Sequence, residues 1–317
     1  MSHIGVKKVK EEEYASFVKK ISLMGNNFRI SEHIGKNVPT LNKKEYLKRN
    51  LDTLSEKEFE LRKPLLEELD LTYGDKLPLD VERLSIRIDN LLEAKDNRES
   101  VLIEFAKEFI FNSNNIEGSR IPAEIVKRII ETGDSKYDNA NEVKEVFNSI
   151  DAMDYIQKGF KFNIPSIKRL YYILTKNLVM QNALPYPRGF KTEPNVVNNM
   201  ETTPPEMVIP QLTDLLEYYR ENKKKEHPLK IAMDFHLRYE QIHPFQDGNG
   251  RTGRMIMNRI LMANGYFPII IYTDNSKAYF NSIAKVSRGK TIKTYYQFML
   301  KQARKTYKDF YRIIDNY

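Results

Sequence analysis

The sequence of 317 residues contains no cysteine. The chain can therefore form no disulfide, thiolate nucleophile or zinc–thiolate site. Hydrophobic residues make up 41% of it, enough for a large core, yet no apolar run approaches the length of a membrane span. Residues 1–20 alternate charged and apolar side chains and lack the apolar segment of a secretory signal. These absences predict a cytoplasmic protein that does not associate with membranes.

Charge gives only a weak indication of partners. Lys and Arg number 51 against 43 Asp and Glu, so the net charge is +8. A basic balance is compatible with phosphate-bearing partners, but both signs are interspersed along most of the chain, as on an ordinary solvated surface. No zinc finger or other nucleic-acid-binding motif is present. Nucleic acid is therefore not the expected partner.

Apolar residues recur at helical spacing through most of the chain. The stretch 182–205 differs, because it is rich in Pro and Asn and contains the β-branched pair Val196-Val197. Such a composition predicts a loop with a small hairpin. The sequence therefore predicts a mostly α fold. The predicted helices cover 42–69, 79–92, 101–118, 122–132, 139–158, 165–180, 206–222, 228–242, 251–264 and 276–316.

The segment 243–254 reads His-Pro-Phe-Gln-Asp-Gly-Asn-Gly-Arg-Thr-Gly-Arg. A residue before proline disfavours helical geometry, so the preceding helix should end near His243. Arg251 and Arg254 fall in the first turn of the next helix, three residues apart and on one face. Cations at that end oppose the helix dipole, so their placement indicates an anion at the helix start. Gly248 and Gly250 leave room for backbone N–H groups to converge on it.

Two further residues of this segment complete a reaction site. Asp247 is a carboxylate in positive surroundings, and a carboxylate beside phosphates is a natural Mg²⁺ ligand. His243 can take a proton near neutral pH. A phosphate cradle, a metal ligand, cationic clamps and a base together predict phosphoryl or nucleotidyl transfer.

The same segment matches every specified position of H-P-F-x-[D/E]-G-N-G-R-x-x-R, the signature of the Fic (filamentation induced by cAMP) family. The resemblance covers about residues 95–317 and implies a helical Fic-type core with a small β-hairpin flap. Residues 1–94 are left as an N-terminal, mainly helical region. The resemblance also implies the activity of the family, which transfers AMP from ATP to a Ser, Thr or Tyr hydroxyl of a target protein.

Roles for the motif residues follow from this resemblance. His243 would deprotonate the target hydroxyl, and Asp247 would hold Mg²⁺ against the α- and β-phosphates. Arg251 would neutralise the β-phosphate and Arg254 would bind the γ-phosphate. The remaining phosphate-binding residues would be Gly248, Asn249 and Gly250.

An upstream pattern indicates self-inhibition. Residues 113–118, Ser-Asn-Asn-Ile-Glu-Gly, fit the inhibitory pattern [S/T]-x-x-x-E-[G/N] of the family, at the end of the predicted helix 101–118. In the family such a glutamate pairs with the second motif arginine, here Glu117 with Arg254, and ATP then binds in an unproductive pose. Ser113, one helical turn earlier, is predicted to orient the carboxylate of Glu117. Because the pattern precedes the motif in the same chain, the inhibition would be built in.

The predicted hairpin occupies the position of the family's flap, which holds a target segment by backbone pairing. The flap residues predicted from the sequence are Lys191, Thr192, Val196 and Val197.

Several alternatives stay open at this level. The enzyme could remove AMP from a modified target, with Glu117 positioning a water, or it could transfer another nucleotide. A nucleotide-sensing binding module without turnover is the non-enzymatic alternative. The expected partners are ATP and an unknown target protein. Self-modification and a homodimer are both left open.

Overall fold

The computed structural model describes residues 2–36, 42–68, 76–180, 183–197, 200–289 and 291–316. Helices dominate these residues, and none of the described helices is long and apolar enough to cross a membrane. The strands are β1 (Ser2–Val9), β2 (Glu12–Leu23), β3 (Asn26–Lys36), β4 (Val196–Val197) and β5 (Met200–Glu201). The helices are α1 (Lys43–Arg49), α2 (Leu51–Glu68), α3 (Leu77–Lys95), α4 (Arg98–Ile116), α5 (Ala123–Thr132), α6 (Ala140–Lys158), α7 (Ile164–Leu174), α8 (Val208–Asn222), α9 (Pro228–Ile242), α10 (Asn249–Ala263), α11 (Ser276–Ser287) and α12 (Lys293–Asn316).

The mostly helical fold predicted from the sequence is confirmed, but its N-terminal region does not begin with helices. Strands β1, β2 and β3 form an antiparallel sheet in that order, so the prediction of a mainly helical region is wrong for residues 2–36. Alternate residues of β2, among them Phe17, Ile21 and Leu23, are buried, which is the period of a half-buried strand. Lys19 lies on the same face and masks this alternation in the sequence.

Helix boundaries differ from the predicted ones where the chain turns. The helix predicted over 276–316 is divided into α11 and α12, and the one predicted over 165–180 ends at Leu174. Pro64 lies inside α2 without ending it, and the predicted end of that helix at residue 69 lies outside the described residues. Helix α10 begins at Asn249, two residues earlier than predicted, so the glycine-rich stretch is itself part of the first turn.

Helix α10 occupies the centre of the fold. It packs against α9, α7, α6 and α4, and most of its residues are buried. The main hydrophobic core includes Leu23 of β2 and extends from Leu65 in α2 to Ile314 in α12, whereas Leu47 of α1 belongs to a second cluster under the N-terminal sheet. The segment 243–254 therefore consists of the loop after α9 and the first turns of a helix that is packed on several sides.

A buried polar cluster joins α2 and α3 to the ends of α9 and α10. Arg62 Nη1 lies 3.0 Å from Glu82 Oε1, and His227 Nε2, directly before α9, lies 3.3 Å from Glu82 Oε2. The hydroxyl of Tyr266, just after α10, lies 2.8 Å from the same carboxylate. Burial alone would raise the pKa of Glu82, but His227, Arg62 and Tyr266 together lower it to about 2. The carboxylate therefore stays charged and ties the N-terminal helices to the core.

We predict that Glu82→Ala lowers the free energy of unfolding by about 3 kcal/mol, because it leaves buried donors without their acceptor. Glu56→Ala is the matched control, since Glu56 pairs with Arg83 at the surface and should change stability by less than about 1 kcal/mol. Urea denaturation of both variants measures the difference. Equal losses in the two variants would contradict the assigned role of Glu82.

Candidate active site

His243 is the residue at which α9 ends. Its backbone adopts a left-handed conformation, with φ 49° and ψ 62°, and its N–H donates to Tyr239 O at 2.9 Å. The imidazole is half-buried, and its Nδ1 makes no hydrogen bond to any described residue. Burial lowers the pKa of His243 to about 4. The ring is therefore neutral near pH 7 and able to accept a proton.

A ring stack and two side-chain hydrogen bonds hold the loop after His243 in place. Phe245 is fully buried and stacks on Tyr171, with ring centroids 3.8 Å apart and planes 4° from parallel. The side chain of Asn249 accepts from Phe245 N and donates to Phe245 O, both at 2.8 Å. Asn249 was predicted to bind phosphate, but its amide is occupied in closing the loop. The backbone N–H of Asn249, unlike its side chain, is still able to bind an anion.

The start of α10 presents unpaired backbone N–H groups. Gly248 caps the helix with φ 78°, and the bond from Thr252 N to Gly248 O, at 3.2 Å, closes the first turn. The N–H groups before that point have no partner within the helix. A β-carbon at Gly250 would overlap Glu117 Oε1. The carboxylate of Glu117 thus already lies against the helix start, where an anion is favoured.

The predicted contact between Glu117 and Arg254 is present. Arg254 is 1% exposed, and its Nη2 donates to Glu117 Oε1 at 2.7 Å. The pair is joined by one hydrogen bond rather than by a bidentate fork. Arg254 Nη1 is buried and makes no hydrogen bond within the described part of the chain. A donor is therefore left over for a further oxygen.

Ser113 contacts the arginine instead of the glutamate. Arg254 Nε donates to Ser113 Oγ at 3.0 Å, and Arg254 Nη2 donates to Ser113 O at 2.9 Å. The sequence predicted that Ser113 orients Glu117 across one helical turn. However, α4 ends at Ile116, so Glu117 is the C-cap residue and leaves the regular helical spacing. Ser113 and Glu117 hold Arg254 from the same helix end.

Arg251 and Asp247 are both hydrogen-bonded to the hydroxyl of Tyr186. Arg251 Nη2 donates to the hydroxyl of Tyr186 at 3.1 Å, and that hydroxyl donates to Asp247 Oδ2 at 3.0 Å. Arg251 Nη1 also lies 3.3 Å from Glu145 Oε1 of α6. Sequence reasoning missed Tyr186 and Glu145, because they come from separate parts of the chain and belong to no motif. Only the fold brings them together.

Asp247 is the carboxylate that the sequence predicted to hold Mg²⁺. It is half-buried, and Gly248 N donates to its Oδ1 at 2.5 Å. No group of three metal-binding side chains exists among the described residues. Magnesium commonly binds one or two carboxylates together with waters and substrate phosphates, so a single carboxylate fits this ion.

The predicted flap is a short hairpin in which Val196 pairs with Glu201 and Val197 with Met200, while residues 198–199 lie outside the description. Thr192 and Val196 are exposed, Val197 is half-buried and Lys191 is buried. Around the hairpin, the chain is bonded to the segment that contains His243. These bonds run from Lys191 N to Pro244 O at 2.9 Å, from Asn195 Nδ2 to Phe245 O at 3.1 Å, and from Thr203 N to Gln241 O at 3.2 Å.

Buried polar groups lie behind Arg254. Tyr279 OH lies 3.1 Å from His236 Nε2, and His236 Nδ1 lies 2.9 Å from Tyr295 OH. Burial lowers the pKa of His236 to about 3 and raises the pKa of Glu240 to about 8. Both side chains are therefore mainly neutral near pH 7, and Arg254 remains the charged group of this region.

Comparisons with known proteins identify similar sequences. The Fic/DOC family model matches residues 162–261. The protein adenylyltransferase Fic of Nematostella vectensis is 27% identical over 253 residues, which cover 77% of this chain and 56% of that protein. A probable protein adenylyltransferase of Aquifex aeolicus is 31% identical over 107 residues, 33% of each chain. This chain spans about half the length of the first of these curated relatives.

Solved structures share the fold. A Fic domain-containing signalling protein of Bacteroides thetaiotaomicron has a TM-score of 0.65 at 20% identity, covering 75% of this chain and 97% of that one. Fic-1 of Caenorhabditis elegans has a TM-score of 0.58 at 16% identity, covering 86% and 99%. The family match includes the whole segment from His243 to Arg254, so residues 162–261 match a Fic/DOC family domain, and the described chain shares the helical fold of the solved structures.

Proposed function

We propose that this protein is an adenylyltransferase that moves AMP from ATP to a hydroxyl side chain of a target protein, and that Glu117 holds it inactive. The observation that carries the proposal is the position of the Glu117 carboxylate, which lies against the start of α10 and on Arg254. Because an anion is favoured at this position, the terminal phosphate of ATP would fit there. Curated relatives of this chain bear the name protein adenylyltransferase, which supports the same activity.

The reaction would use a neutral base beside an anion site. The hydroxyl oxygen attacks the α-phosphorus, its proton passes to the imidazole of His243, and the bond to pyrophosphate breaks. Arg251, Arg254 and the first N–H groups of α10 stabilise the negative charge of the phosphates. Asp247 would hold Mg²⁺, which supplies further positive charge to the phosphates when it is bound.

Inhibition would arise from competition for Arg254. A γ-phosphate can reach Arg254 and the helix start only after the carboxylate of Glu117 has left, because both anions need the same donors. Removing one partner of a buried ion pair typically changes the free energy by about 3–5 kcal/mol. Because the side chain of Glu117 is 24% exposed, the effect should fall below that range. An effect of about 1.4 kcal/mol corresponds to a factor of about ten in rate.

We predict that Glu117→Gly increases AMP transfer from labelled ATP and Mg²⁺ by about tenfold or more, because it frees Arg254 and the helix start. Glu124→Ala, at an exposed position of α5, is the matched control and should leave the rate unchanged. Adding His243→Ala to Glu117→Gly should abolish the gain. The readout is mass spectrometry of the chain and of proteins in a cell lysate, where a gain of one AMP identifies donor group and acceptor.

Other outcomes of this experiment separate the alternative functions. ATP binding without any labelling, even by Glu117→Gly, would indicate a nucleotide-sensing module. Release of AMP from a previously modified protein, lost in Glu117→Gly, would indicate removal of AMP instead of its transfer. A rate for Glu117→Gly that equals the wild-type rate would contradict the inhibitory role of Glu117.

The pH dependence of kcat/KM should reflect the low pKa of His243. Burial keeps that pKa near 4, and Glu117, one of the groups that raise it, is absent from Glu117→Gly. A base with a lowered pKa is active above that value and loses activity as protonation begins. We therefore predict that the acidic limb of kcat/KM for Glu117→Gly lies below pH 5. A limb near 6.5, the ordinary histidine value, would contradict the assignment. An NMR titration of the imidazole, assigned with His243→Ala, checks the same pKa without turnover.

A further inference from the structure

Lys191 is a buried lysine at the base of the flap. It is 3% exposed, whereas lysine side chains almost always lie at the surface unless they are paired. Its Nζ donates to Asn195 Oδ1 at 2.9 Å, to Thr202 Oγ1 at 2.5 Å and to Ile242 O at 3.2 Å. An ammonium group has three N–H donors, so these three oxygens saturate it.

The acceptors of Lys191 belong to three different places in the chain. Asn195 directly precedes β4, Thr202 directly follows β5, and Ile242 is the last residue of α9, next to His243. One side chain therefore closes the base of the hairpin and fastens it to the end of the helix that carries the candidate base. A cation at a helix C-terminus is also favoured by the helix dipole.

All three acceptors are neutral. Burying a cation without a carboxylate partner costs free energy, and burial lowers the pKa of Lys191 to about 8. An apolar side chain could fill the same space without that cost. The ammonium group provides three directed hydrogen bonds that connect the two sides of the flap and α9. An apolar group cannot provide them.

Neighbouring hydrogen bonds also join the flap to the residues around His243, and none of them involves the imidazole ring. Lys191 N donates to Pro244 O and Asn195 Nδ2 donates to Phe245 O, the two residues that follow the histidine, whereas Lys191 Nζ is bonded to Ile242 O directly before it. The imidazole Nδ1 itself makes no hydrogen bond to any residue that the structure describes. The flap and the histidine are thus held at a fixed separation.

We infer that Lys191 is a positioning residue, which sets the flap against His243 so that a hydroxyl held by the flap lies within reach of the imidazole. The inference rests on the proposed function, because it assigns to the flap the part of holding the acceptor. Small displacements of bound groups can lower a rate by about a hundredfold, so a loosened flap should affect transfer strongly.

The test uses the full chain with Glu117→Gly as the active background. Lys191→Met keeps most of the apolar stem but removes the charge and the three donors, whereas Lys191→Arg keeps charge and donors. Lys225→Met, at an exposed position, is the matched control. We predict that Lys191→Met lowers kcat for labelling of proteins with AMP by about tenfold or more. The dissociation constant for ATP should change less than about twofold, since the phosphate donors lie elsewhere. Lys191→Arg should restore most of kcat.

Hydrogen exchange supplies a readout that does not depend on activity. Without nucleotide, Lys191→Met should speed amide exchange in residues 200–203 and 241–245 by about tenfold or more, and Lys191→Arg and Lys225→Met should not. Unchanged kcat or unchanged exchange in Lys191→Met would overturn the inference. If Lys191→Met does not fold, Thr202→Val, which removes one acceptor, takes its place with the same expected directions. If Glu117→Gly labels nothing while Lys191 is intact, the proposed function fails, and exchange still decides whether Lys191 fastens the flap.

Discussion

The contact of the Glu117 carboxylate with Arg254 and the start of α10 is the interaction around which the candidate site is organised. A buried guanidinium requires a counter-charge, and a helix start with unpaired N–H groups favours an anion. Glu117 satisfies both requirements with one side chain, and Ser113 adds two further acceptors for Arg254. The anion site is therefore already occupied by a side chain of this protein, and under the proposed function a phosphate would have to take its place.

Several groups around this contact hold the loop and the flap in place without occupying the anion site themselves. The Asn249 side chain and the stack of Phe245 on Tyr171 fix the loop without using the N–H groups of the helix start. Lys191 fastens the flap beside His243 through neutral oxygens and so adds no competing anion. Donors aimed at an anion and held by separate supports need little rearrangement during a reaction, which is the condition for strong electrostatic stabilisation.

The sequence predicted the parts of the site that lie close together along the chain. Its twelve-residue motif carries His243, Asp247 and both arginines, and proline and glycine positions predicted the helix–loop–helix around them. Glu117 was found because a second short pattern resembles one in the same family. Tyr186 and Glu145 could not be found in this way, since they lie about 60 and 100 residues from their partners in the motif and no local pattern marks them. The N-terminal sheet was missed for a different reason, because buried Lys19 interrupts the alternation of β2 with a charge.

Each motif arginine is held by a carboxylate from outside the motif, and the two carboxylates differ in a way that bears on regulation. Glu145 lies within α6, where the regular helix fixes its backbone. Glu117 is the C-cap of α4, directly before Gly118, whose backbone has φ 102°. Helix ends fray more readily than helix interiors, so the backbone at Glu117 can move by the opening of a terminal turn, whereas the backbone at Glu145 is held within a regular helix. Under the proposed function, the carboxylate that would compete with a terminal phosphate is thus the one whose backbone the fold can move at lower cost.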